Sequence, residues 1–208
     1  MSTPGKRSYS SQSRAQSAEE TRARILDAAL ALFGESGVDK VTIAQIGERA
    51  QVAASTVYAV FKSKAGILRA LMERALFGDR FRSAQAILAG VTDPVALIGL
   101  TAEVACAIYE SEDQDLGLLR NISGFSPLLR DIEQEFEALR YQMQEQRIQA
   151  LFAAEKAKAK LSPDEARRIL WMYTSRDIYR MLVLDSGWPV ERYRSWLAQT
   201  LVEALVAP

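Results

Sequence analysis

Residues 41–64 read VTIAQIGERAQVAASTVYAVFKSK, and this stretch decides the fold. Thr42 followed three residues later by Gln45 is a capping box: each side chain serves a backbone N–H at the other's end. It opens a short helix through about Arg49. Residues 50–52 break the periodicity, and a second short helix runs over 53–61. Ile43, Ile46 and Ala50 give the first an inner face; Val52, Val57 and Phe61 serve the second. Helices this short do not hold alone in water. They need a partner, and the stripe Ile25, Leu26, Ala29, Leu30, Leu32 and Phe33 just upstream supplies it. Three helices, the last two joined by a tight break, make a helix-turn-helix, a motif whose second helix lies in the DNA major groove.

The pattern extends outward in both directions. Ser17 with Glu20 is a capping box for the first helix, which should stop at the glycines of 34–37. Residues 1–16 are Ser-rich and basic, with no apolar run of the secretory kind. They read as a disordered arm whose Lys6, Arg7 and Arg14 are suited to a narrow minor groove. On the other side, Ser63 caps a fourth helix carrying Ile67, Leu68, Leu71, Met72, Ala75 and Leu76, which is expected to connect the two parts over 63–81. Longer helices follow. Asp93-Pro94, Ser126-Pro127 and Ser162-Pro163 each set a capping residue before a first-turn proline, and Glu165 completes a box with Ser162. Ile132, Phe136, Leu139 and Met143 step along one side of a long helix. Residues 153–160 read as a fraying end or a solvated loop. A last helix begins near Pro189, with Tyr193, Trp196, Leu197, Thr200, Leu201, Ala204 and Leu205 on one face. No strand pattern and no internal repeat emerge.

Composition removes whole classes of function. The 208 residues are 49% hydrophobic and 25% charged, enough for a packed core. There is no histidine and one cysteine, Cys106, so His-dependent nucleophilic catalysis and a structural zinc site are excluded, and no internal disulfide forms. No metal, no cofactor and no enzymatic role are expected. Charge breaks each apolar run before membrane-spanning length, so no membrane partner is expected, and a lone thiol suits the cytoplasm. Formal net charge is zero, but residues 1–66 hold nine Lys/Arg against six Asp/Glu. The basic excess therefore lies with the helix-turn-helix.

At residues 17–76 the chain resembles the TetR family of bacterial regulators. The resemblance rests on Thr42-Ile43-Ala44, on Gly47 and Val52 about the turn, on Ser55-Thr56-Val57-Tyr58, and on Phe61-Lys62-Ser63-Lys64 leading to Leu68. The stretch from Asp177 to Tyr193 adds a little. It implies phosphate roles for Thr42, Tyr58 and Lys64, and base-edge roles for Ala44, Ala54, Ser55 and Ala59 with Thr56 nearby; Lys62 joins the same surface. Helix N-termini at Thr42 and Ser63 favour phosphate on physical grounds too. The recognition helix is poor in hydrogen-bonding side chains, since Ala53, Ala54 and Ala59 offer only methyl contacts, so direct readout should be modest.

The expected architecture is all-α: an N-terminal three-helix helix-turn-helix DNA-binding domain over 17–62 and a C-terminal helical-bundle ligand-binding and dimerisation domain over 63–208. The segment from Pro163, apolar nearly all round through Ile169, Leu170, Trp171, Tyr173, Ile178, Met181, Leu182 and Val183, needs burial on more than one side. With the last helix it would form a homodimer's four-helix interface. Tyr109, Phe125, Phe136, Trp171, Ser175 and Tyr179 are the candidates to line a pocket for a small hydrophobic effector. Glu110, Glu112, Asp113 and Asp115 read as an exposed turn. The function expected is a repressor released from an inverted-repeat operator in double-stranded DNA by that effector; the alternative is a helical ligand-binding or scaffold protein with weak or lost DNA binding.

Overall fold

The computed structural model describes residues 6–123 and 126–208 along the backbone, with side chains throughout except in 6–12, 112–115 and 118–123. Among the described residues the chain is helical, with no strand and a single isolated antiparallel bridge between Ala157 and Val206. It divides into two compact units: Met1–Met72 with Leu116–Ile132, and Glu73–Asp115 with Glu133–Pro208.

In the first unit, α1 (Lys6–Ser36) packs on α2 (Ile43–Arg49), which packs on α3 (Ala54–Phe61); α4 (Lys64–Leu76) follows. Ile25, Ala29, Phe33, Val38, Ile46, Val57, Ile67 and Leu68 are completely buried among them. The capping box at Thr42 forms as expected, with Thr42 N–H on Gln45 Oε1 at 2.8 Å and Gln45 N–H on Thr42 Oγ1 at 3.3 Å. The start of α1 is different. Residues 6–16 are helical rather than disordered, and Ser17 sits inside the helix, where its carbonyl accepts the Thr21 hydroxyl at 2.9 Å. Nothing between Lys6 and Phe33 is a Gly or Pro, so no residue stops the helix from propagating upstream past a local cap. Residues 1–5 of the expected arm lie outside the described residues.

The second unit contains α5 (Asp79–Leu88) and most of α6 (Pro94–Ser123) and α7 (Pro127–Met143). Then come α8 (Glu145–Ala153), α9 (Pro163–Tyr173), the short α10 (Arg176–Tyr179), a π-helix over Arg180–Asp185, and α11 (Val190–Leu205). α9 packs on α8 and on α11. The three proline starts behave as read: Asp93 receives Val95 and Ala96 N–H, Ser126 receives Leu129 N–H, and Ser162 and Glu165 close a capping box. Along α11 the expected stripe is the buried one: Tyr193, Leu197, Leu201 and Leu205 have no exposure.

Several expectations are corrected. The connecting helix of 63–81 is two helices, since α4 ends at Leu76 and Gly78, in extended conformation, precedes α5. The acidic residues at 110–115 lie within α6 rather than in a turn, and Glu110 pairs with Arg80 at 3.8 Å. The first 18 residues of α6, Pro94–Ser111, are long and apolar enough to cross a membrane by length and composition, because Glu103 and Glu110 are the only acids or bases in them. In the structure 44% of them are buried, among them Ile98, Ala102, Val104, Ala105, Cys106, Ile108 and Tyr109. The stripe on α7 is deeply buried at Ile132 and exposed by Leu139 and Met143. Of the two readings of 153–160 the solvated loop holds rather than the fraying end: the stretch is exposed apart from half-buried Ala157, and it is held by Lys158 N–H on Leu205 O at 3.0 Å and Ala207 N–H on Lys156 O at 2.8 Å. Finally, the segment from Pro163 is not one helix, because it breaks at Thr174–Ser175 and passes into the π-helix.

Candidate functional site

The α2–α3 junction is a close backbone approach. A Cβ on Gly47 would stand 2.9 Å from Val52 O and 3.3 Å from Ala54 N, so the second helix can seat this tightly only on a glycine. The turn is closed by Ala50 N–H on Ile46 O and Val52 N–H on Gly47 O, both 2.9 Å, with Gln51 at φ +57°. Lys62, at φ +65°, ends α3, and its ammonium bonds Ala59 O at 2.9 Å. Left-handed conformations at two non-glycine residues bracket the helix and are held by these bonds. Arg49 to Glu35 at 3.0 Å ties α2 to α1, and the Arg22 guanidinium lies 4.8 Å from the Phe61 ring centre.

This packing turns Val57 and Phe61 inward and leaves Ser55, Tyr58 and Ala59 on the outer face of α3, with Tyr58 53% exposed. Thr42 and Ala44 are exposed on α2, Lys62 is exposed, and Ala54 and Thr56 are half-buried. The sequence reading missed two neighbours on this surface, Gln51 and Val60. An amide side chain in the turn was the available signal for Gln51.

Two expected phosphate contacts are engaged inside the protein. The Thr42 hydroxyl donates to Gln45 Oε1 at 3.0 Å while accepting Gln45 N–H. The Lys64 ammonium donates to Asp39 O at 3.2 Å and Val41 O at 3.1 Å, closing the loop before α2. Asp39 is held a second time, by the Ser126 hydroxyl on its Oδ1 at 2.9 Å. Ser63 Oγ receives Gly66 N–H at 3.1 Å and so is occupied as a cap.

Of the effector candidates, the structure joins some and separates others. The Tyr109 and Tyr179 rings lie 5.4 Å apart, both buried, and Ser175 caps α10 beside them in sequence. Phe136 instead stacks on Phe77 at 5.9 Å. Trp171 is exposed, edge-on to Tyr141 at 6.1 Å. Phe125 lies outside the described residues. The sequence reading missed the group that gathers at the helix break: Arg140, Gln144, Thr174 and Tyr193. Only Tyr193 carried a signal, as a core residue of α11.

Comparison with known proteins agrees with this geometry. The family model described as bacterial regulatory proteins, tetR family, matches residues 25–71. The HTH-type transcriptional repressor ComR of Escherichia coli (strain K12) is 29% identical over 143 residues, 66% of each chain. The repressor KstR of Mycolicibacterium smegmatis is 38% identical over 73 residues, 35% of this chain and 36% of its own length. The chain thus matches less than two thirds of the length of these relatives. Among solved structures, NalD, the secondary repressor of the MexAB-OprM multidrug efflux pump in Pseudomonas aeruginosa, aligns with a TM-score of 0.71 and 23% identity over 90% of this chain and 98% of its own, which is a likeness of fold. The helix-turn-helix segment, residues 25–71, thus matches the tetR family of bacterial regulatory proteins.

Proposed function

We propose that the protein is a homodimeric, sequence-specific transcriptional repressor that leaves an inverted-repeat DNA operator when a small, mainly apolar effector binds its second unit. The observation that carries the reading is the outer face of α3, where Ser55, Tyr58 and Ala59 stand exposed on a helix fixed by the Gly47 contact. Ser55 and the alanine methyls meet base edges, and the Tyr58 hydroxyl meets a phosphate. Sequence preference draws on DNA shape as well, because few of these groups make bidentate bonds. Thr42 and Lys64 act mainly by holding α2 in place.

Two copies give the two-fold symmetry an inverted repeat requires. Trp171 and Met172 on α9, with Met181 and Leu184 on the π-helix, are exposed large apolar side chains and supply a self-complementary contact. An effector acts by binding the DNA-free state more tightly than the DNA-bound one. The protein works in the cytoplasm, with the DNA, and performs no catalysis.

The test is a gel-shift titration of the full chain against the double-stranded DNA upstream of its own gene, at two salt concentrations. A retarded band that weakens as salt rises, together with increased transcription of the neighbouring genes on deletion, is expected. Absence of a specific shift, or loss of transcription on deletion, refutes the reading.

A further inference from the structure

The break between α9 and α10 is held by side chains from far along the chain. Thr174 and the carbonyls beside it form the hub. The Thr174 hydroxyl donates to Leu170 O at 2.7 Å and accepts from Arg140 Nη1 and Gln144 Nε2, both at 2.8 Å. Tyr109 donates its hydroxyl to Thr174 O at 2.7 Å, and Arg140 also reaches Trp171 O at 3.0 Å. Arg140 is itself neutralised by both oxygens of Glu137, at 3.2 and 2.6 Å.

Two polar atoms around this hub have no partner. Gln144, 3% exposed, leaves Oε1 unbonded, and Tyr193, 0% exposed, leaves its hydroxyl unbonded. The orientation of the amide follows from the network. The Thr174 proton is committed to Leu170 O, so Thr174 can only accept, and the amide must present its NH2 there and its oxygen elsewhere. Tyr193 joins the same group through rings: it lies 5.2 Å from Tyr179, which lies 5.4 Å from Tyr109, and 5.9 Å from Trp196. Burial, with Tyr109 and Cys106 nearby, pushes the Tyr193 phenol well above its ordinary range, so it stays a neutral donor and acceptor. An acceptor and a hydroxyl at such depth each keep an unmet hydrogen-bonding capacity.

From this arrangement we infer that Gln144 and Tyr193 are the polar recognition point for a neutral aromatic effector carrying a hydroxyl, a phenol in its simplest form. The ligand hydroxyl donates to Gln144 Oε1 and accepts from Tyr193, and its ring packs among Tyr109, Tyr179 and Trp196. A charged ligand is not selected, since the one cation of the group, Arg140, is already paired with Glu137. The inference rests on the effector-responsive reading above and supplies the chemistry of its ligand.

Calorimetric titration of the full chain with 4-butylphenol, butylbenzene and 4-butylbenzoate tests it. The phenol should bind at least tenfold tighter than either of the others. Tyr193→Phe should cut the phenol's advantage over butylbenzene below threefold without lowering the melting temperature of the ligand-free protein, because the hydroxyl removed had no partner. Gln144→Met should cut the advantage likewise, with some loss of melting temperature because it also removes the amide's bond to Thr174. Equal binding of phenol and butylbenzene, no binding of any probe, or a preference that survives both substitutions overturns the inference. So does a lower melting temperature in Tyr193→Phe, which would assign the hydroxyl to a buried water. Gel shifts without ligand separate the two readings: DNA binding that persists while phenol selectivity is missing removes this inference alone.

Discussion

Replacing Gly66 with alanine tests how the recognition helix is terminated. Gly66 lies in the first turn of α4, and a Cβ there would sit 2.0 Å from Phe61 O and 3.1 Å from the Phe61 carbonyl carbon. Backbone contacts closer than about 3 Å are not tolerated, so the two segments must part by roughly 1 Å. Neither side yields readily. Phe61 is the last residue of α3, its buried ring anchors that helix, and its carbonyl accepts Ser63 N–H at 2.8 Å. Gly66 N–H is bound to Ser63 Oγ at 3.1 Å. Overpacking of this kind costs about 1–3 kcal/mol, and each strained or lost hydrogen bond about 0.5–1.5 kcal/mol more. Alanine's better helix propensity returns about 1 kcal/mol. With both hydrogen bonds strained the net is a loss of about 1–5 kcal/mol, a fall of roughly 2–20 °C in melting temperature for a chain of this size. Far-UV circular dichroism on heating measures it, and DNA affinity at 20 °C should fall as well, because α3 ends where the strain is placed. Gly99→Ala is the control: its Cβ meets only Val202 Cγ2, at 3.6 Å, so the same exchange inside α6 should stabilise by about 0.5–1 kcal/mol. If Gly66→Ala melts within 1 °C of the parent, the close approach at the end of α3 is not real and the reasoning fails.

Three further outcomes are expected. Lys64→Met should lower stability by about 1–3 kcal/mol and weaken DNA binding without lowering the slope of log affinity against log salt, since its ammonium serves Asp39 and Val41 carbonyls; a slope reduced by about one would restore a phosphate contact instead. Tyr58→Phe should weaken binding to all DNA sequences about three- to tenfold with an unchanged melting temperature, because the ring is exposed; a loss confined to one operator base would make Tyr58 a base reader. Burial, opposed in part by Arg194, pushes the Cys106 thiol up to about 12, whereas an unfolded thiol titrates near about 8.5. The folded value is the higher one, so the neutral thiol's contribution to stability is complete below about pH 8.5 and is lost as pH rises from there toward 12. Urea melts from pH 8 to 10.5 should show the decline, and a thiol reagent at pH 8 should label Cys106 only after unfolding; prompt labelling of the native protein would contradict the burial.

How far the fold was legible depended on the range of the interactions that set it. Thr42 with Gln45 and Ser162 with Glu165 could be read directly, because a capping box is complete within four residues. The same local rule failed at Ser17, where a capping sequence lies in a run with nothing to stop a helix and the propagating backbone bonds win. The outer face of α3 was legible from periodicity, since burying Val57 and Phe61 obliges Ser55, Tyr58 and Ala59 to face away. The role of Lys64 was not, because its partners at Asp39 and Val41 are more than 20 residues upstream.

The break at Thr174–Ser175 marks the limit most clearly. Residues 163–185 contain no Gly and no internal Pro, and by local propensity they read as one apolar helix. What a helix break exposes is backbone carbonyl oxygen, and burying such groups unpaired costs more than a favourable propensity gains. The break therefore persists only where outside donors meet it: Arg140 at Trp171 O and Thr174 O, and the Tyr109 hydroxyl at Thr174 O. Those donors stand between 31 and 65 residues away in sequence, beyond the reach of any pattern along a single segment. The same donors explain why polar atoms accumulate inside an otherwise apolar unit. A side chain recruited to satisfy a broken helix brings more hydrogen-bonding capacity than the break consumes. Gln144 gives its NH2 to Thr174 and is left with an oxygen to spare. A binding site for a polar group can thus arise as the residue of a structural requirement.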